Sequence, residues 1–140
     1  MSEACWEHFA HSADIGIRGV APTKELAFSQ AALAMVAVMV DVGAIEARER
    51  VTIRCQDTDE ELLLLAWLNA VVYETDVRHM LFGRFDVRID RDSLTAEAFG
   101  EPIDPARHEF HVEVKAATPA QLRVGQDDQG RWIAQCVVDV

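Results

Sequence analysis

Phe85-Asp86-Val87-Arg88-Ile89-Asp90-Arg91-Asp92-Ser93-Leu94-Thr95-Ala96-Glu97-Ala98 is the stretch whose pattern decides the fold class. Phe85, Val87 and Ile89 alternate with charged residues before a polar break, and Leu94, Ala96 and Ala98 alternate again after it. A period of two marks strands with one buried face, and Asp90-Arg91-Asp92-Ser93 is short and polar enough to turn one strand back on the other. A β-hairpin is expected here.

Toward the N-terminus the period changes. Thr58-x-x-Glu61 has the form of a capping box, and Leu62-Leu63-Leu64-Leu65-Ala66-Trp67-Leu68 follows it, which predicts a helix to about Tyr73 or Asp76. Before it, Val51, Ile53 and Cys55 alternate with Thr52, Arg54 and Gln56 as a strand. An earlier helix is predicted from about Thr23 to Val40, with Thr23 able to cap it. Its second half is apolar almost all round, so it serves as a central helix or meets a second copy of the chain. Asp14-Ile15-Gly16-Ile17-Arg18-Gly19-Val20 reads as the first strand, with room for close backbone approach at Gly16 and Gly19.

Toward the C-terminus, Glu101–Pro105 reads as a loop, Val112–Lys115 and Leu122–Val124 as strands, Asp127–Gly130 as a turn and Trp132–Val138 as the last strand. The order β-α-β-α followed by several strands predicts an α+β fold: a mixed β-sheet with two apolar helices packed on it. No linker or repeat divides the 140 residues, so residues 1–140 are read as one domain, which by its size would bury roughly 70% of its extended-chain surface.

A net charge of −11, with thirteen Lys and Arg spread thinly, argues against unaided tight binding of nucleic acid. The excess carboxylates serve solubility, a basic protein partner or a cation. No apolar run reaches the roughly 20 residues that cross a bilayer, and the first residues lack a signal-peptide pattern, so no membrane association and a cytoplasmic address are expected. Cys5, Cys55 and Cys136 form neither a disulfide framework nor a zinc motif.

Two segments could carry chemistry. Glu7-His8-Phe9-Ala10-His11-Ser12-Ala13-Asp14 is dense in ligand-type side chains, although its order differs from that of zinc proteases and the following glycines favour an extended chain. Such histidines also serve as caps and packing groups. At the other end, an apolar strand closes on Asp139 and then Val140, which places a side-chain carboxylate beside the α-carboxylate. A third carboxylate alongside would make a site for a hard cation such as Ca²⁺ or Mg²⁺. Lys115 and Glu113 share one face of their expected strand, where the lysine is either functional or simply solvated. No phosphate-binding loop and no Ser-His-Asp arrangement with a nucleophile elbow occurs.

Three segments taken together resemble the archease family: His11-Ser12-Ala13-Asp14-Ile15-Gly16-Ile17, Gly100-Glu101-Pro102-Ile103-Asp104-Pro105-Ala106-Arg107-His108 through Val114-Lys115-Ala116, and Val137-Val138-Asp139-Val140. The likeness also takes in Ala31–Met35 and Glu60–Leu63 with Trp67-Leu68-Asn69. It implies a non-catalytic accessory of the GTP-dependent tRNA-splicing RNA ligase that joins 2′,3′-cyclic phosphate or 3′-phosphate ends to 5′-hydroxyl ends, promoting that ligase's guanylylation and turnover. The family's metal-site pattern falls on Asp14, Asp139 and Val140, and its functional lysine on Lys115. His11, from the same motif as Asp14, is expected beside Lys115 in partner activation. Ser12 replaces the family's usual Thr, and Ala117-Thr118-Pro119-Ala120 replaces a common Val-Thr-Tyr-His, so a strand break is expected at Pro119. The competing readings are a metal-dependent phosphohydrolase using His11, Asp14, Lys115 and Asp139, and a general chaperone or scaffold.

Overall fold

The computed structural model describes residues 3–140. The elements run β1 (Cys5–His11), β2 (Asp14–Ala21), α1 (Lys24–Met39), β3 (Glu49–Gln56), α2 (Glu60–Arg78), β4 (Met80–Asp90), β5 (Ser93–Pro102), β6 (Ala116–Gln126) and β7 (Trp132–Asp139). One 3-10 turn, Val42–Ala44, lies between α1 and β3. The α+β class, the two helices and the 85–98 hairpin are as expected. In place of one mixed sheet there are two antiparallel ones, ordered β1-β2-β7-β6 and β3-β5-β4.

The helices fill the space between these sheets. α1 touches β1, β2 and β7 of the first sheet and β4 of the second, while α2 touches β6 of the first and β3, β4 and β5 of the second. This explains why the second half of α1 is apolar almost all round: a helix covered from both sides has no solvent face to keep polar. Within the chain the apolar residues of that second half are buried or half-buried, while Leu26 near the start of the helix stays exposed. Phe28, Met35, Trp67 and Leu68 are fully buried, and Trp67 Nε1–H donates to the Phe28 carbonyl at 3.0 Å, which ties the two helices together. Its ring meets Phe85 edge-on at 5.5 Å, joining the helix pair to the second sheet.

Gly19 lets β2 lie against α1, because a Cβ there would strike the backbone of Ala27 and Ala31. Gly16 does the same for the Phe9 ring on the opposite face of the sheet. Both close approaches were legible in the sequence. Cys136 is buried and Cys55 half-buried, and burial pushes the Cys136 thiol up to about 12.

Five local expectations change. Most of the Glu7–Asp14 stretch, expected only to be extended, falls in full strands: its first residues, Glu7–His11, lie in β1 (Cys5–His11), which pairs with β2. The cap of α2 is Asp59 and not Thr58: its carboxylate accepts from the amides of Glu61 (2.8 Å) and Leu62 (3.1 Å), and the Glu61 side chain accepts from Val124 N–H on β6 instead of reaching back. α2 continues to Arg78 and ends on His79 in the left-handed conformation, φ 54°. Val112–Lys115 is no strand, since its alternation reflects the inward turn of Val112 and Val114 toward the core and not a ladder. At Pro119 the backbone stays extended, but pairing with β7 lapses between Thr118 and Arg123, and Gln121 there has φ 54°. Among the described residues no helix is long and apolar enough to cross a membrane.

Candidate functional site

Asp14 opens β2, directly after the Ser12-Ala13 turn in which Ser12 takes φ 53°. In the β1–β2 ladder Asp14 faces His11, and in the β2–β7 ladder Ile15 faces Val138. One step further along that antiparallel register sets Asp14 beside Asp139. Residues opposite one another share a sheet face, so His11, Asp14 and Asp139 form one row. That face points away from the helices, because the alternate positions Ile17, Cys136 and Val138 are in the core. Asp139 is exposed, while His11, Asp14 and Val140 are partly covered.

β6 closes the other side. Ala116 pairs with Asp139, and Lys115 N–H donates to the Asp139 carbonyl at 2.8 Å, which fixes the lysine backbone next to the carboxylate pair. α2 holds this junction from below. Asn69 Oδ1 accepts from Ala117 N–H at 2.9 Å and Asn69 Nδ2 donates to the Ala117 carbonyl at 3.1 Å. The side chain therefore serves as a substitute strand on the free edge of β6. Thr118 Oγ1–H donates to the Val137 carbonyl at 2.8 Å, a further pin just before the irregular stretch.

Asp14, Asp139 and Lys115 are thus brought to one end of one sheet from three separate parts of the chain. His11 stands in the same row, but among the described residues no three His, Cys, Asp or Glu side chains gather closely enough to hold an ion. His11 is accordingly not placed as a third side-chain ligand. Its Nδ1 is buried without a hydrogen-bond partner. Asp14 and Asp139 offer carboxylate oxygens, the donor type that a hard divalent cation takes and a thiophilic metal does not.

A second polar cluster gave no sign of its role in the sequence. Glu101 is fully buried, and its carboxylate accepts from Glu46 N–H (2.9 Å), His108 Nε2–H (2.8 Å) and Arg107 Nη2. Asp104 N–H donates to His108 Nδ1 at 2.8 Å, which leaves Nε2 as the protonated nitrogen facing Glu101. These donors, the Glu46 amide foremost, hold Glu101 down to about 2 against the effect of burial. The cluster anchors the start of the segment 103–115 to the loop after α1. Lys115 lies at the far end of that segment and is held separately, by its amide bond to Asp139. Only the Gly100–His108 run itself, with its unusual density of ionisable residues beside two prolines, could have drawn attention to it.

The chain matches the family model described as the archease protein family over residues 6–140. It is 40% identical over 139 residues to the protein archease of Pyrococcus furiosus, covering 96% of this chain and 98% of that one. The protein archease of Sulfolobus acidocaldarius is 39% identical over 137 residues, with the same coverage. Among solved structures, a Methanobacterium thermoautotrophicum protein studied in solution superposes with a TM-score of 0.85 at 34% identity, over 96% of this chain and 98% of its own. A Thermotoga maritima crystal structure, described as an archease and possible chaperone, gives 0.65 at 16% identity over 96% of each chain, a likeness of fold alone.

Proposed function

This chain belongs to the archease family, and on that footing we propose that it is a non-catalytic, metal-binding accessory protein that activates a GTP-dependent 3′-phosphate RNA ligase, promoting guanylylation and repeated turnover in tRNA splicing or RNA repair. The observation that supports this reading most is the strand register that sets Asp14 beside Asp139, with the Lys115 amide bonded to the Asp139 carbonyl. In this reading Asp14, Asp139 and the Val140 carboxylate hold a divalent ion, Ca²⁺ or Mg²⁺. Bound there, the ion supplies a concentrated positive charge for phosphate oxygens or for the partner's own carboxylates.

The chain's own residues do the rest. Asp14 and Asp139, two carboxylates side by side in one row, repel one another until a cation joins them, so the site favours taking up a cation or handing one over. Lys115, tethered beside the row by its backbone, offers an ammonium to a phosphate approaching the same edge. His11, from the neighbouring strand, takes part in the contact with the ligase. The chain's charge of −11 favours docking against a basic protein surface and disfavours holding the RNA directly.

Multiple-turnover ligation by a cognate ligase with GTP and a divalent ion, with and without this chain, tests the reading. Stimulation is expected, and Asp139→Ala and Asp14→Ala are expected to remove it while leaving the unfolding midpoint near that of the parent. An Asp139→Ala variant that stimulates fully would refute the site. A second reading, a shielding role toward apolar partner surface, is favoured by the exposed Leu62, Tyr73 and Val77, which lie along one side of α2. Suppression of the aggregation of unrelated proteins, unchanged in Asp14→Ala and Asp139→Ala, would support that role instead.

A further inference from the structure

A cleft of about 500 Å³ opens between the C-terminal half of α2 and the segment 110–114. That is the size of sites that enclose a small organic molecule. Its walls are apolar, from Met39, Ile103, Val112 and Val114, and the half-exposed Phe110 ring stands at its mouth. Three features give it polarity. Thr75 lines it, is 7% exposed, and its hydroxyl has no hydrogen-bond partner, a costly state for a buried polar group. Asp76 and Glu113 contribute carboxylates, and no Lys or Arg lines the cleft to balance them. His79 and His111 add imidazoles, which carry charge only when protonated.

We propose that this cleft is a binding site for a small organic cation, an ammonium or amidinium group carried on an apolar body about the size of one aromatic ring. The two unbalanced carboxylates select positive charge and repel anions. The Phe110 ring offers its face to the same cation, the apolar walls take the body, and the Thr75 hydroxyl provides the one interior hydrogen-bonding group. Backbone bonds at both ends keep the cleft formed: His111 N–H donates to the Met39 carbonyl at 2.8 Å and Ile103 N–H to the His79 carbonyl at 2.9 Å. None of Asp14, Asp139 or Lys115 lines it, so it stands or falls separately from the ligase reading.

The test is a titration of the ¹⁵N-labelled full chain with phenethylammonium, followed by amide chemical shifts, beside 3-phenylpropionate as matched anion and 2-phenylethanol as neutral control. Saturable shifts centred on Thr75–His79 and Phe110–Val114 are expected for the cation, with the anion bound at least about tenfold more weakly. The double variant Asp76→Asn with Glu113→Gln, whose undisturbed spectrum elsewhere shows that it folds, is expected to lose that preference. Equal binding of the anion, shifts centred elsewhere, no saturation, or a preference that survives in the double variant would each overturn the proposal.

Discussion

Asn69→Ala removes the side chain that pairs with both backbone groups of Ala117 on the free edge of β6. Ala117 is 6% exposed, so its N–H and C=O are left without water to replace the lost partners. A buried backbone group stranded in this way costs about 1–3 kcal/mol, and two of them on the order of 2–4 kcal/mol after partial relaxation. The loss falls on local opening of the junction and not on the whole domain, because the core packing of α2 rests on Leu64, Trp67, Leu68 and Val71, which the substitution leaves in place. Native-state hydrogen exchange reads it directly. At tenfold per 1.4 kcal/mol, the Ala117 amide is expected to exchange roughly 30- to 1,000-fold faster, with smaller increases at its neighbours in β6 and little change in β4 and β5. Unchanged exchange at Ala117 would refute the clamp, and a uniform rise at every protected amide would show that Asn69 supports the domain as a whole and not this junction. If the clamp also positions Lys115, ligase stimulation falls in the same variant while the affinity of Asp14 and Asp139 for a divalent ion stays near that of the parent.

Trp67→Phe deletes the Nε1–H bond to the Phe28 carbonyl and leaves a gap between the two helices; a loss of about 2–4 kcal/mol in urea unfolding is expected. Glu101, held at about 2 in the fold against an ordinary 4.5, favours the folded state wherever it is ionised in both states. Its contribution is therefore complete at neutral pH and is lost as the pH falls from about 4.5 toward 2. Parent and Glu101→Gln stabilities are expected to converge over that window, measured as urea midpoints against pH, and a gap independent of pH would refute the assignment.

The strand and helix periods of this chain were written in its sequence because they depend on nearest neighbours. The alternation from Phe85 to Ala98, the Thr23 cap and the glycines at 16 and 19 each state a local requirement that the fold then meets. Pairing partners were not written there. Val112 and Val114 alternate as a strand does, yet they pack inward beneath a loop, since alternation records burial and not which backbone lies alongside. The Glu61 side chain prefers Val124 on β6 to its own helix end, a choice that only the packing of β6 on α2 offers. The candidate site divides in the same way. Carboxylates at Asp14 and Asp139 and a lysine at Lys115 are visible as residues, but they lie far apart along the chain. Their adjacency follows from β7 inserting between β2 and β6, and Lys115 is held there by its amide bond to the Asp139 carbonyl. What the sequence determined was which segments form strands and helices and which face of each is apolar; what only the tertiary structure decided was which edges meet, because a hydrogen-bonded ladder between distant strands is fixed by the shared core they enclose and not by either strand alone.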